Sequence, residues 1–211
     1  DNDEPNVLNL SSAFGGKYQI PMFSYYRTDS NALALVHQGT NAVPGHLGPD
    51  SSWVRVGIPI TTYGPIDGTI SNLDTFLYGS DTFGVKWVFG TNAGKLRGIT
   101  YEFQNDMTYM GGSSEVLVEL EKFGDYLVGA PSLQADGRWF RIAFTVYDWL
   151  TEPTPVYKLM YMYKTGELND SCLWSGTSYY QCDVIDTNDF SIGPPSLQLT
   201  PGGKVGIAYE K

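Results

Sequence analysis

An all-β fold is what the sequence predicts, and three observations predict it. Aromatic residues make up 14% of the 211 positions and charged residues only 17%, a balance that favours strands over helices. The 24 Gly and 12 Pro are spread along the chain rather than gathered in one linker, so turns recur throughout. The tetrapeptide Pro-Ser-Leu-Gln occurs at Pro131–Gln134 and again at Pro195–Gln198, each time followed by a glycine turn and an apolar strand. A hydrophobic content of 42% at this length is enough for a substantial core.

The strands repeat in order. The strand after the glycine turn reads GGKYQIPMFSYY at Gly15–Tyr26, SDTFGVKWVF at Ser80–Phe89, ADGRWFRIAF at Ala135–Phe144 and LTPGGKVGIAY at Leu199–Tyr209. Aligning these sets Ile20, Val85, Ile142 and Ile207 in register, with gaps of 65, 57 and 65. A third strand follows at Asn31–Gln38, Gly94–Phe103 and Val156–Lys164, with Leu33, Leu96 and Leu159 spaced by 63 and 63. A fourth is expected at Trp53–Ile58, Val116–Glu121 and Gln181–Ile185. Four short strands per unit of about 60 residues is the pattern of a β-propeller blade, because neighbouring sheets packed radially bury faces that one sheet leaves open. The units fall at roughly residues 5–68, 69–129, 130–193 and a partial 194–211. A sandwich with chance similarity is the competing architecture.

Three full units and half of a fourth do not close a ring, since propellers have at least four blades. Lys211 falls just after the second strand of the fourth unit. The ring is therefore expected to be completed by a second polypeptide, such as the other half of a cleaved precursor, or by a missing segment.

Charge narrows the partners. A net charge of −10 leaves no basic footprint for nucleic acid or an anionic membrane surface. No apolar run approaches the roughly 20 residues of a membrane span. The opening Asp-Asn-Asp-Glu-Pro is not a signal peptide, so any targeting segment is expected to be gone already. Cys172 and Cys182 are close enough to be joined across a hairpin, and Asn9-Leu-Ser and Asn169-Asp-Ser are glycosylation sequons. Together with few lysines they suggest a secreted protein with a Cys172–Cys182 bridge and glycosylation at Asn9 and Asn169.

YRTDSNALALVHQ (Tyr26–Gln38), TNAGKLRGITYEF (Thr91–Phe103) with MGG at Met110–Gly112, and RIAFTVYD (Arg141–Asp148) resemble the repeats of the fungal fucose-lectin propellers. That resemblance implies a sugar site with an arginine opening strand two, a glutamate in strand three and an aromatic nearby. Arg141 matches the arginine, and the other units offer Gln19, Gly84 and Gly206 there. The glutamate position holds Leu35, Gly98 and Tyr161, so no unit keeps the pair.

The expected function is a secreted glycan-binding module, with Arg141 and Tyr161 joined by aromatic faces from Trp149, Trp174, Tyr179 and Tyr180 in the loop-rich third unit. A glycan-cleaving enzyme, hydrolase or lyase, and a protein-binding scaffold are the alternatives. No cofactor is expected, although Asp183, Asp186 and Asp189 offer oxygens for a structural calcium. The two histidines, His37 and His46, lack metal-ligand spacing.

Overall fold

A computed structural model describes residues 7–28, 30, 32–38, 53–59, 66–124, 126–150, 154–174 and 176–211. They form four antiparallel sheets that follow one another in chain order. The first sheet runs β1 (Val7–Gly15), β2 (Ile20–Arg27), β3 (Ala32–Gln38) and β4 (Trp53–Pro59), each paired with the next. In the second, β5 (Ile66–Ile70) and β6 (Asp74–Leu77) both pair with β7 (Thr82–Thr91), followed by β8 (Lys95–Gln104) and β9 (Tyr109–Glu119). The third repeats this plan. There β10 (Tyr126–Leu127) and β11 (Ser132–Asp136) pair with β12 (Trp139–Asp148), then β13 (Val156–Asn169) and β14 (Ser178–Asn188). The fourth is the pair β15 (Ser196–Leu199) and β16 (Val205–Ala208).

Burial explains the sequence of each strand. β7 and β12 are buried on both faces, so they read as nearly continuous apolar runs rather than alternating ones. The edge strands β9 and β14 are largely exposed at their outer residues. One core lies between the first two sheets, around Met22, Leu33, Phe83, Trp87 and Phe103. A second lies between the second and third, around Leu96, Leu117, Phe140, Ile142 and Met160. Between the third and fourth the core is small, centred on Ala143, Tyr161 and Leu197.

Close approach of sheets makes one glycine necessary. A Cβ on Gly98 would come within 2.7 Å of the Phe140 ring and 2.9 Å of the Leu117 side chain. Phe140 belongs to the next sheet, so the missing side chain in β8 is what lets the two sheets close. Gly98→Ala is therefore expected to cost about 2 kcal/mol through overpacking, read as a lower urea midpoint at unchanged slope.

The first strands of the four sheets lie side by side, β1 against β6, β6 against β11 and β11 against β15. A recurring side-chain clamp joins them. The Leu73 N–H donates to Ser11 Oγ at 2.8 Å, the Leu133 N–H to Asn72 Oδ1 at 2.8 Å, and the Leu197 N–H to Ser132 Oγ at 2.9 Å. Asn72 also donates through Nδ2 to the Leu133 carbonyl at 2.8 Å. Among the described residues the series is open, with no closed barrel or ring.

The sequence alignment of third strands holds. Leu33, Leu96 and Leu159 pair with Tyr26, Gly90 and Thr145, and all three are buried. The alignment of second strands needs correction in the first two units. Three residues before those partners stand Phe23, Trp87 and Ile142, so Ile20 and Val85 were placed three and two residues early. For β7 the physical reason is that a strand buried on both faces has no alternation to fix its phase; β2 does alternate, and its slip of three sets Ile20 on the face opposite Phe23. The fourth strands are also longer than expected, β9 beginning at Tyr109 and β14 at Ser178.

Candidate functional site

The corrected register changes the residue that answers to Arg141. In the second sheet it is Lys86, not Gly84, and in the first it is Met22, not Gln19. Lys86 and Arg141 thus open equivalent stretches of β7 and β12, each on the face turned toward the following sheet. Gly84 is glycine for another reason, since a Cβ there would sit 2.1 Å from the Phe76 ring.

Lys86 is fully buried, at 0% exposure. Its ammonium donates to the Arg138 carbonyl on the β11–β12 turn and lies 3.7 Å from the Phe140 ring centroid and 4.9 Å from that of Phe76. Burial pulls its pKa down to about 7, against the opposing pull of Glu115, Asp74, Asp136 and Glu102. Glu115 stands on the edge strand β9 and keeps solvent exposure, yet desolvation around its carboxyl still raises its pKa, with Lys86 and Tyr180 opposing. Desolvation first, and then the charge of Glu115, also push the Tyr180 hydroxyl up. Asp74 is raised by burial too, while accepting the Ala135 N–H at 2.5 Å.

In the third sheet the equivalent cation is only partly covered. Arg141 donates through Nε and Nη2 to Asp136 Oδ2 at 2.8 and 2.6 Å, and through Nη1 to the Tyr161 hydroxyl at 3.2 Å. One fork is thereby held by a carboxylate and a phenol, with the Tyr161 ring stacked on Tyr163 at 5.3 Å. Trp139, two residues before Arg141 at the start of β12, packs against the core between the second and third sheets, with its ring centroid 6.2 Å from those of both Tyr179 and Tyr180. Lys164 covers one side of Trp139 at 3.6 Å, and Tyr179 is 44% exposed. The result is a half-open aromatic ledge beside a fixed guanidinium and carboxylate.

Arg141, Tyr161 and Tyr179 are therefore gathered at one end of the third sheet. Tyr180 is not an exposed platform as expected: it is 2% exposed and belongs to the core between the second and third sheets, where its hydroxyl accepts the Phe140 N–H at 3.4 Å. Alternation along β14 turns it to the face opposite that of Tyr161 and Tyr163. Trp149 is half exposed but follows the far end of ten-residue β12, about 30 Å along the strand from Trp139. Trp174 is 66% exposed and lies against the second sheet instead. Its backbone N–H donates to the Glu119 carboxylate, and the Lys122 ammonium is 5.8 Å from its ring.

The Cys172–Cys182 disulfide is formed, with both half-cystines buried in the same core. Asn9 is exposed at an irregularity of β1 and has φ of 56°, a conformation asparagine tolerates. Asn169 is half-buried, its Oδ1 accepting the Ser171 N–H at 2.9 Å and its Nδ2 donating to Thr165 Oγ1 at 3.2 Å. Asp183 accepts from Gln181 at 3.0 Å and pairs with Tyr163, while Asp186 accepts from the Tyr209 hydroxyl at 2.6 Å and from Lys211 at 2.9 Å. Those donors, Tyr209 first, hold the Asp186 pKa down to about 2. Asp189 lies in the turn after β14, and among the described residues no three acidic, histidine or cysteine side chains gather as a metal group. His37 is buried with Nδ1 2.9 Å from the Gln38 carbonyl, and His46 lies outside the described residues. Among the described residues no helix is long and apolar enough to cross a membrane.

Two residues of the site escaped the sequence reading. Lys86 is hidden by the slipped alignment, and Trp139 is not singled out by the sequence. The available signal for Lys86 was a lysine inside the apolar run FGVKWVFG, where an unpaired charge has no place. No family model, no curated protein and no solved structure matches the chain.

Proposed function

We propose that the chain is part of a β-propeller and that it acts as a secreted glycan-binding module through the ledge of the third unit. The architecture is supported by sheets that follow in chain order with their first strands side by side, and by a clamp that recurs at each junction between partners 62, 61 and 65 residues apart. The disulfide suits an oxidising compartment. The observation that carries the binding reading is the Trp139–Tyr179 pair beside the Arg141–Asp136–Tyr161 cluster. Ring faces take the apolar C–H side of a sugar, while a guanidinium and carboxylate already fixed in place hydrogen-bond its hydroxyls at little further entropic cost. This arrangement uses the arginine of the fucose-lectin pattern without its glutamate.

A glycan array followed by calorimetry on the best ligand tests this. Tyr179→Ala is expected to weaken binding roughly tenfold or more, with the melting temperature shifted by only a few degrees because the ring is half exposed. Trp174→Ala is expected to weaken it less, since that ring sits on the second sheet. An array with no sugar bound above background rejects the reading.

One observation favours a second reading, a glycan-cleaving enzyme. Glu115 has a raised pKa and stands exposed on β9 beside Lys86 and Tyr180, which suits a general acid. Release of reducing ends or unsaturated sugar, abolished by Glu115→Gln, would replace binding by turnover.

A further inference from the structure

Each first strand in this protein solves the same problem. Leu73, Leu133 and Leu197 are buried, and their backbone N–H groups point away from their own sheet toward the one before. A buried amide without an acceptor costs about 1–3 kcal/mol, so the preceding unit must supply one. It does so each time from one position: Ser11, Asn72 and Ser132. In the second and third units that residue stands directly before the unit's own clamped leucine, as Asn72-Leu73 and Ser132-Leu133. The fourth unit has the same dipeptide, Ser196-Leu197, inside the second copy of Pro-Ser-Leu-Gln. Leu197 is clamped by Ser132, yet Ser196 is exposed and its hydroxyl meets no hydrogen-bond partner among the described residues.

We propose that Ser196 is the acceptor for a fifth sheet unit of the same repeat, whose first-strand leucine N–H it receives as Ser132 receives that of Leu197. Continuity with the three existing interfaces identifies the occupant, because the site repeats both the residue and the strand that the earlier clamps use. A second observation agrees. The face of the third sheet turned toward the fourth is closed in a small core around Ala143, Tyr161 and Leu197, while the outer strand β14 stays largely exposed. The corresponding outer strands of the second sheet bury Leu96 and Leu117. The fourth sheet therefore has the inner half of an internal unit, and Arg141 stands where Lys86 becomes fully covered once a complete neighbour is present. This inference draws on the serial order of the sheets and is independent of the glycan reading.

The test extends the chain in register. A copy of residues 147–211 is appended after Lys211, which repeats the 65-residue spacing of Ile142 to Ile207 and supplies two outer strands and a second Leu197. Amide hydrogen exchange is then read at both leucines. The duplicated leucine amide is expected to be protected, and Ser196→Ala to speed its exchange roughly tenfold or more while leaving the original Leu197 unchanged. Ser132→Ala is expected to do the reverse. An unprotected duplicated leucine beside a protected original one overturns the proposal, as does protection that Ser196→Ala leaves intact. Self-association of the 211-residue chain that Ser196→Ala abolishes would overturn it as well, by giving the hydroxyl to a second copy.

Discussion

Folding stability is expected to rise by about 3 kcal/mol between pH 7 and pH 9.5, and Lys86→Met to remove most of that rise. In the fold the lysine pKa is drawn down to about 7 from an ordinary 10.5, chiefly by loss of water. Between those values the unfolded chain binds a proton that the folded protein does not, so stability increases with pH. Below about 7 both states are protonated and the cost of the buried charge is fully present. The facing groups Asp74, Glu102, Glu115 and Asp136 soften that cost, and the Arg138 carbonyl and the Phe140 ring give the ammonium its contacts. Burial raises the pKa of Asp74 and of Glu115, with the charge of Lys86 opposing in both. Tyr180, pushed above its ordinary value, stays protonated there. Methionine keeps most of the length of the side chain and removes the charge, at the expense of the Arg138 carbonyl's donor. Urea unfolding of both proteins at several pH values reads the difference. A wild-type stability that is flat, or falls, across the window would mean that the ammonium is solvated rather than sealed between the sheets.

The same lysine marks where the sequence was legible and where it was not. The repeat could be seen because Leu33, Leu96 and Leu159 are buried at one register position in three consecutive sheets, and large apolar side chains recur wherever a face must be covered. The second strands gave the right elements at the wrong phase. β7 is covered on both faces, so Val85 and Trp87 are equally apolar and nothing in the pattern distinguishes them. A shift of two keeps every side chain on its proper face, which is why the error stayed hidden while it moved the equivalent of Arg141 from Lys86 to Gly84. At the ledge, Arg141 and Tyr161 were reached through a family pattern, and Tyr179 through its place in a loop-rich stretch. Tyr180 failed on the same reasoning because neighbouring residues of a strand point to opposite faces, and only the placement of β14 says which of the two is covered. The clamp was visible as Pro-Ser-Leu-Gln, but its meaning lies in a partner some sixty residues away. In the second unit asparagine performs the serine's role, which no repeat of letters reveals.

Removing the disulfide is expected to cost about 2–4 kcal/mol, with Cys172→Ala/Cys182→Ala lowering the melting temperature more than any exposed aromatic substitution. The bond closes a loop with a sequence separation of 10, so the entropic part is modest. Packing adds to it, because both half-cystines lie in the core with Leu117, Val118 and Phe140. The loop is also stitched to the second sheet. The Glu119 N–H donates to the Cys172 carbonyl at 3.0 Å, Lys122 donates to the Asp170 and Leu173 carbonyls, and the Trp174 N–H donates to the Glu119 carboxylate. Ser171 Oγ both accepts the Cys182 N–H and donates to the Cys182 carbonyl, at 3.0 Å each way. Opening the bond therefore frees the loop from β9 and from β14 together. That predicts two linked readouts: a lower melting temperature, and a red-shifted, more quenchable tryptophan emission from Trp174 as it leaves Lys122. The native protein should take up no thiol reagent until it is reduced. Labelling of both cysteines in the unreduced protein, or a double variant as stable as the parent, would show that the hydrogen bonds to β9 hold the loop without the covalent link.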